Sequence, residues 1–451
     1  MRGKLICLML ALLFLFGAGT TSVFAVAKDP VTSCGAALII DNKTGEVLYQ
    51  KNSEAQMTPA SLTKIMTCIL VLEALDMDKK VTITKEATGF QGNQMELKEG
   101  EVLTVEQLVN SLMVYSANDA AVALAIEVAG SEAEFVSLMN QRAEKIGATH
   151  TRFLNPNGFT ESLEHTTTAS DMMLITREAL KNETFRKIVS QPGYTVPKTN
   201  LSEERVFVST NRLLFDEETP IVVDGKSRTP KYEGAFGVKT GMMLSSGYCL
   251  IAGAKREDTE LLAVVLNTKE ETDRFVDAIS LLDFGFKNFY TYELMAPGAD
   301  GGKVKVKYGH KTRVKTIVAN GAYETLPAEG LTSLASSKIV LDKGVKAPIE
   351  KGTKVGVVEI YEGDEKVGEA DVVITQDVKK GGPWAALYIS DLAFYTVAGV
   401  ILLLILTILF LRARKKKLER IREEKRRRER EKRAMEIAME REEKRRRGWP
   451  Y

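Results

Sequence analysis

Three short motifs stand in a fixed order along this 451-residue chain: Ser61-Leu62-Thr63-Lys64, then Ser116-Ala117-Asn118, then Lys239-Thr240-Gly241. Any fold open to the chain must gather them. Together they supply a serine, a lysine to take its proton and further polar groups to face it, a nucleophile that needs no histidine. Each motif alone says little, since Ser-x-x-Lys is expected about once or twice by chance in a chain of this length at average composition. A second Lys-Thr-Gly makes the point. Lys43-Thr44-Gly45 ends a polar run that starts at Asp41, between the apolar stretches Ala36–Ile40 and Val47–Tyr49, and reads as a hairpin turn.

A serine hydroxyl attacks only when a neighbour within hydrogen-bond reach takes its proton. Ser61 and Lys64 are three residues apart, and Ile65, Ile69, Leu72 and Leu75 follow at helical spacing, so both side chains fall on one face of a helix's first turn. Pro59 and Ser61 suit the start of that helix. A serine there places its backbone N–H in the positive end of the helix dipole, where it can face a developing oxyanion. Lys64 can serve as base only when largely neutral, which demands burial or nearby positive charge, and Lys239 is a natural source of that charge. A helix is expected to begin near Asn118 and run through Ala120–Ala129, capped by the second motif, with Ser116 and Asn118 pointing into a cleft on either side of Ala117. The third motif closes the apolar run Ala235-Phe236-Gly237-Val238 and precedes the strand-like Tyr248–Ala254. That pattern fits an edge strand beside the cleft, to which an extended substrate can add.

The motifs and their flanks, Pro59-Ala60 before the serine, Ile65-Met66-Thr67 after the lysine, Asp119-Ala120, Asn155-Pro156-Asn157-Gly158 and Gly247-Tyr248-Cys249-Leu250, resemble the low-molecular-mass D-alanyl-D-alanine carboxypeptidases, a family of penicillin-binding proteins. The resemblance covers roughly residues 30 to 375 in family order. It implies an α/β (α+β) domain of the serine β-lactamase/transpeptidase kind: an antiparallel sheet flanked by helices, plus a helical subdomain, with the cleft between them. It also implies removal of the terminal D-alanine from peptidoglycan stem pentapeptides through an acyl-enzyme on Ser61, with β-lactams as covalent inhibitors at the same serine and no cofactor. In that scheme Lys64 is the base, Ser116 relays a proton to the leaving amine, and Asn118 holds the substrate's peptide carbonyl. Lys239, Thr240 and Gly241 bind substrate, and the N–H of Met242 is a second oxyanion donor beside that of Ser61.

One departure stands out. The family usually carries Thr or Ser at the position held here by Met243, so a hydroxyl that helps grip the substrate's terminal carboxylate is missing. Arg274, which precedes Leu281-Leu282-Asp283-Phe284-Gly285-Phe286 at the family's spacing, is the remaining candidate for that carboxylate, since a guanidinium fork fits it well. Its competing reading is a solvated arginine on a surface helix.

Other chemistries lack their residues. The three histidines, His150, His165 and His310, show no metal-ligand spacing, which argues against a zinc site or a Ser-His-Asp arrangement. His165 reads as lying near a helix start, with Thr168 or Ser170 capping and Asp171 in the first turn. No Gly-x-Ser-x-Gly elbow and no phosphate-binding glycine loop is present. Cys7 falls in the leader; of the other three cysteines, Cys34, Cys68 and Cys249, the last two lie in apolar runs and read as buried hydrophobes rather than bridge partners.

Arg2 and Lys4 precede the apolar run Leu5–Phe16, and Val23, Ala25 and Ala27 offer cleavage sites, so residues 1–27 read as a secretory signal peptide. Residues 28–290, where helical segments (Val105–Val114, Glu132–Ile146, Thr168–Lys181, Thr272–Phe286) mix with strands, read as the catalytic domain. Residues 291–380, with alternating runs such as Val304–Lys307 and Lys354–Tyr361, read as a small all-β sandwich that spaces the cleft from the bilayer. Residues 392–411 carry no charge and are long enough for a membrane-spanning helix, fronted by Trp384, Tyr388 and Tyr395. Arg412, Arg414, Lys415, Lys416 and Lys417 follow directly, which places the basic tail, 412–451, in the cytoplasm and the catalytic domain on the wall side.

The tail carries nineteen Lys and Arg against nine Asp and Glu, so the whole-chain charge of +2 conceals an exported part near −10, which argues against nucleic acid as its ligand. The run Arg422-Glu423-Glu424-Lys425-Arg426-Arg427-Arg428 recurs at Arg441–Arg447. A solvated helix against anionic lipid is the plain reading of the tail; a cytoplasmic partner or RNA is the other. For the whole chain, a β-lactamase and a non-catalytic, membrane-anchored wall-binding scaffold compete with the carboxypeptidase. Ser-Ala-Asn in place of Ser-Asp-Asn, the β segment and the anchor disfavour the first, and the intact motif set disfavours the second.

Overall fold

A computed structural model describes residues 29–31, 33–328 and 335–448. The expected signal peptide and Cys7 lie outside them. Packing divides the chain into two units, the first running to Glu293 and taking in the described residues of Tyr323–Ala335, the second made of Leu294–Ala322 and the rest.

The first unit is built on five strands: β1 (Ala36–Asp41), β2 (Val47–Lys51), β3 (Ala235–Met243), β4 (Gly247–Arg256) and β5 (Thr259–Thr268). They pair antiparallel in the order β2-β1-β5-β4-β3, so β3 is an edge. Strands β1 and β5 read as unbroken apolar runs because both faces of the sheet are covered. Leu262, Val264 and Leu266 enter one core and Leu261, Ala263 and Val265 the other, the period-2 alternation of a strand dividing its side chains between two layers. The turn between β1 and β2 contains Lys43-Thr44-Gly45, as its polar composition predicts.

Helix α1 (Lys64–Ala74), entered through a 3-10 turn at Ala60–Thr63, lies at the heart of the first core with α3 (Asn118–Ala129), α4 (Glu132–Ile146) and α5 (Ala169–Ala179). A short α2 (Val105–Asn110) opens with a capping box at Thr104 and Gln107 and runs into a π turn at Ser111–Tyr115. Helix α6 (Glu183–Val189) completes that layer. Helix α7 (Asp273–Asn288) covers the opposite sheet face with Phe275, Ala278, Ile279, Leu281 and Leu282. The layout is the expected sheet between helical layers, with the helical expectations met to within a turn. Cys68 and Cys249 are fully buried in the first core.

The second unit carries a five-stranded sheet, β6 (Asp300–Lys305), β7 (Arg313–Val318), β8 (Ala335–Leu341), β9 (Lys354–Glu362) and β10 (Glu365–Ile374), in the order β6-β7-β10-β9-β8. Two apolar clusters, around Val304, Val314 and Ile374 and around Val318, Val358 and Val372, give it a core of its own. It ends in α8 (Asp391–Arg446), a helix of 56 residues whose first part is long and apolar enough to cross a membrane. Trp384 stacks on Phe394 with ring centroids 3.7 Å apart and donates its indole N–H to Asp391 at 2.7 Å, which pins the start of that helix. Beyond Leu411 the same helix continues on exposed ion pairs one turn apart, such as Arg427 with Glu431 and Arg447 with Glu443.

Candidate active site

Ser61 sits in the 3-10 turn and Lys64 opens α1, so the two side chains share a face one turn apart. Lys64 is completely buried, and its Nζ lies 2.9 Å from Ser61 Oγ, 2.7 Å from Asn118 Oδ1 and 2.6 Å from the carbonyl oxygen of Asn157. All three can accept an N–H bond, as an ammonium requires, and they also suit the neutral form that burial favours. A neutral amine has two N–H bonds and one lone pair: it can donate to the two carbonyl-type oxygens, which can only accept, and receive the hydroxyl proton of Ser61. Burial first, and then the charge of Lys239, hold the Lys64 ammonium well below its ordinary value, against a weaker pull from Asp119. The sequence expected both causes.

Lys239 is also buried, 1% exposed, on β3, and donates to its neighbour's carbonyl, Thr240 O, at 3.0 Å. Burial and the Arg274 guanidinium lower its pKa to about 7. Gly241 is where β3 crosses closest to the nucleophile's turn: a Cβ there would lie 3.1 Å from Pro59 O and 3.4 Å from the Ala60 and Leu62 side chains. A larger residue would push the third motif away from the first.

Helix α3 starts at Asn118 as predicted, but the second motif does not cap it. Ser116 adopts a left-handed backbone, φ 70°, Ala117 is the cap residue without a side-chain bond, and the Asn118 side chain is engaged elsewhere, with one N–H of its amide still free to meet a substrate carbonyl. It accepts from Lys64 and donates through Nδ2 to Gln91 O at 2.7 Å. The cap expectation fails because the cap position falls on Ala117, whose methyl group has no oxygen to accept an N–H. Asp119 instead fastens this helix start to the preceding loop, accepting from the N–H groups of Met95 and Leu97 at 2.9 and 3.1 Å.

Ser61, Ser116, Asn118, Thr240, Gly241, Met242 and Arg274 line one open cleft of about 710 Å³; Lys64 and Lys239 lie beneath its floor. Met242 is half exposed and Met243 also lines the cleft. Arg274, at the start of α7, is 6% exposed, so the solvated-arginine reading is overturned: Nη1 donates to Gly241 O at 3.3 Å and Nη2 meets Glu271 at 3.2 Å. The described residues contain no cluster of His, Cys, Asp and Glu suited to a metal ion.

Several participants carried no assignment from the sequence. The Asn157 carbonyl holds Lys64, and the Asn155-Pro156-Asn157-Gly158 loop is fixed by Thr67 Oγ1, which donates to Pro156 O at 2.5 Å. Thr210 Oγ1 meets Thr240 Oγ1 at 2.6 Å, and Arg212 and Tyr248 stand on the cleft wall. His165 does precede a helix start, with Thr168 capping α5 through the Asp171 N–H as read, but its ring is wholly buried against the serine's turn, 2.8 Å from Thr63 Oγ1.

A family model described as D-alanyl-D-alanine carboxypeptidase, peptidase S11, matches residues 23–270, and one described as penicillin-binding protein 5, C-terminal domain, matches residues 289–380. The chain is 34% identical to D-alanyl-D-alanine carboxypeptidase DacF of Bacillus subtilis over 77% of its own length and 86% of that protein. It is 31% identical to D-alanyl-D-alanine carboxypeptidase DacC of Escherichia coli over 82% and 91% respectively. Among solved structures, penicillin-binding protein 5 of Haemophilus influenzae superposes with a TM-score of 0.61 at 27% identity, covering 78% of this chain and all of that one.

Proposed function

The chain belongs to the peptidase S11 family of D-alanyl-D-alanine carboxypeptidases, and from that premise we propose that it releases the terminal D-alanine of peptidoglycan stem pentapeptides through an acyl-enzyme on Ser61. Lys64 takes the Ser61 proton as Oγ bonds to the carbonyl carbon of the penultimate D-alanine. The backbone N–H groups of Ser61 and Met242 face the oxyanion. The peptide C–N bond then breaks, and the departing amine receives its proton from Lys64 by way of Ser116. Water attacks the ester with Lys64 again accepting a proton, which returns the free hydroxyl and the shortened peptide. Asn118 holds the substrate's peptide carbonyl, β3 with Lys239, Thr240 and Gly241 aligns its backbone, and Arg274 takes the terminal carboxylate. β-Lactams acylate the same serine.

The observation that carries this reading is the fully buried Lys64 amine 2.9 Å from Ser61 Oγ, with two carbonyl oxygens to receive its N–H bonds. Incubation with a fluorescent penicillin, followed by peptide mapping, tests it alongside an assay of D-alanine release from a pentapeptide. A lasting label on Ser61 with D-alanine release is the expected result. Rapid turnover of the label would favour a β-lactamase, and no label a scaffold.

For the rest of the chain, the domain limits proposed are residues 28–290 for catalysis, 291–380 for an all-β spacer, 392–411 for the membrane helix and 412–451 for the tail. The long apolar helix and the basic residues directly behind it support an anchor with the catalytic unit on the wall side and the tail in the cytoplasm, against anionic lipid or a partner there.

A further inference from the structure

The peptide between Ala60 and Ser61 is held by a chain of hydrogen bonds that starts outside the three motifs, at Leu154 and His165, and passes through Thr63. Thr63 Oγ1 donates to Ala60 O at 2.7 Å, and the same hydroxyl meets His165 Nε2 at 2.8 Å. The Leu154 N–H donates to His165 Nδ1 at 3.1 Å, so that nitrogen is the acceptor and the proton of the neutral ring sits on Nε2. The direction of the chain is then fixed: Leu154 N–H to Nδ1, Nε2–H to Thr63, Thr63 O–H to Ala60 O. Burial lowers the His165 pKa to about 4, so the ring stays neutral near pH 7. The acceptor at the end of this chain belongs to a strained residue, since Ala60 has φ 48°. It is also walled in, because a Cβ on Gly158 would stand 1.9 Å from Ala60 O and 2.8 Å from Thr63 Oγ1, leaving glycine as the residue that fits.

We propose that His165 and Thr63 are positioning residues that aim the Ser61 N–H at the developing oxyanion, acting through the one planar peptide between Ala60 and Ser61. A trans peptide sets its C=O and N–H on opposite sides. Tying Ala60 O inward to Thr63 therefore turns the Ser61 N–H outward to the cleft, and a chain of aligned hydrogen bonds ending on that carbonyl makes the N–H a stronger donor. The inference rests on the reading of Ser61 as the nucleophile.

The test uses the full chain acylated by benzylpenicillin, with the ester carbonyl stretch read by infrared difference spectroscopy, because that frequency falls as oxyanion-site hydrogen bonds strengthen. Thr63→Val keeps the shape and removes the hydroxyl. It is expected to slow acylation about tenfold or more and raise the carbonyl frequency, with the initial non-covalent affinity unchanged; Thr63→Ser restores both. Should Thr63→Val fail to fold, His165→Phe, which keeps a ring against Phe153, is expected to shift the frequency the same way by less. Wild-type acylation rate and frequency in a folded Thr63→Val or His165→Phe chain would overturn the proposal while leaving Ser61 labelled. A wild-type chain with no label on Ser61 would overturn the nucleophile reading itself.

Discussion

At the scale of single residues, the site works by denying Lys64 the water that an ammonium needs while offering it two carbonyl oxygens that suit an amine. The sequence allowed Ser61, Lys64, Asn118 and Lys239 to be named because their spacing is local or their motif is short. It gave no sign that the Asn157 carbonyl holds Lys64, that Asp119 holds Met95 or that His165 meets Thr63, since these contacts run across 24 to 102 residues of chain and backbone atoms leave no trace in residue type. Arg274 was legible as a type and not as an environment: its burial comes from α7 folding against β4 and β5, a long-range event. Met243 lines the cleft where the sequence reading expects Thr or Ser. Met243→Thr returns a hydroxyl to the cleft, and one hydrogen bond to a carboxylate is worth about 1.5–3 kcal/mol. KM for a pentapeptide is therefore expected to fall about tenfold, and steady-state kinetics showing unchanged KM and turnover would contradict the role given to that position.

At the scale of elements, legibility followed the reach of the signals. Glu132–Ile146 was readable to the residue because Ser131 caps it and Gly147 ends it, both within the helix's own turn. The start of α3 was readable too, but the left-handed Ser116 before it was not, because a serine is not the residue that announces the left-handed end of a helical turn, here the one at Ser111–Tyr115. The segment after α6 also depends on a distant partner. Arg205, on the short strand Arg205–Val208, makes a two-pronged pair with Glu101 at 2.9 Å on both oxygens, the Glu101 side chain wholly buried and Thr199 adding a third bond. Burial alone would raise the Glu101 pKa, but the Arg205 and Thr199 hydrogen bonds outweigh it and hold the carboxyl below its ordinary range. A lowered folded-state pKa stabilises the fold above the unfolded value of 4.5 and ceases to as pH falls through the folded value. Arg205→Met leaves a buried carboxylate unpaired and is expected to cost about 3–5 kcal/mol at pH 7. The loss should shrink in acid, as the unpaired Glu101 of the variant and the carboxyl of the unfolded chain take up a proton that the native pair still excludes. Chemical denaturation at pH 7 and pH 4 measures both, and an equal or larger loss at pH 4 would contradict the pairing.

At the scale of the whole molecule, the cleft and the helix long and apolar enough to cross a membrane belong to different units. The cleft residues all belong to the first unit, and most of the all-β segment, with α8, to the second. A chain ended after Lys380 is expected to leave the membrane fraction on lysis yet cleave a soluble pentapeptide at an unchanged rate, with only membrane-bound wall polymer spared. Fractionation and D-alanine release check this, and loss of soluble-peptide turnover in a folded truncation would contradict a purely anchoring role for the residues after Lys380. What unites the molecule is one claim, that a buried, neutral Lys64 takes the proton of Ser61. The pH dependence of benzylpenicillin acylation in the intact chain, compared with Lys239→Gln, tests it most directly. Acylation should need a deprotonated group whose pKa lies well below the ordinary lysine value of 10.5. Removing the Lys239 charge should move that limb to higher pH without reaching the ordinary value, because burial is the larger cause. A limb near 10.5 in the native chain, or one that Lys239→Gln leaves in place, would contradict the account.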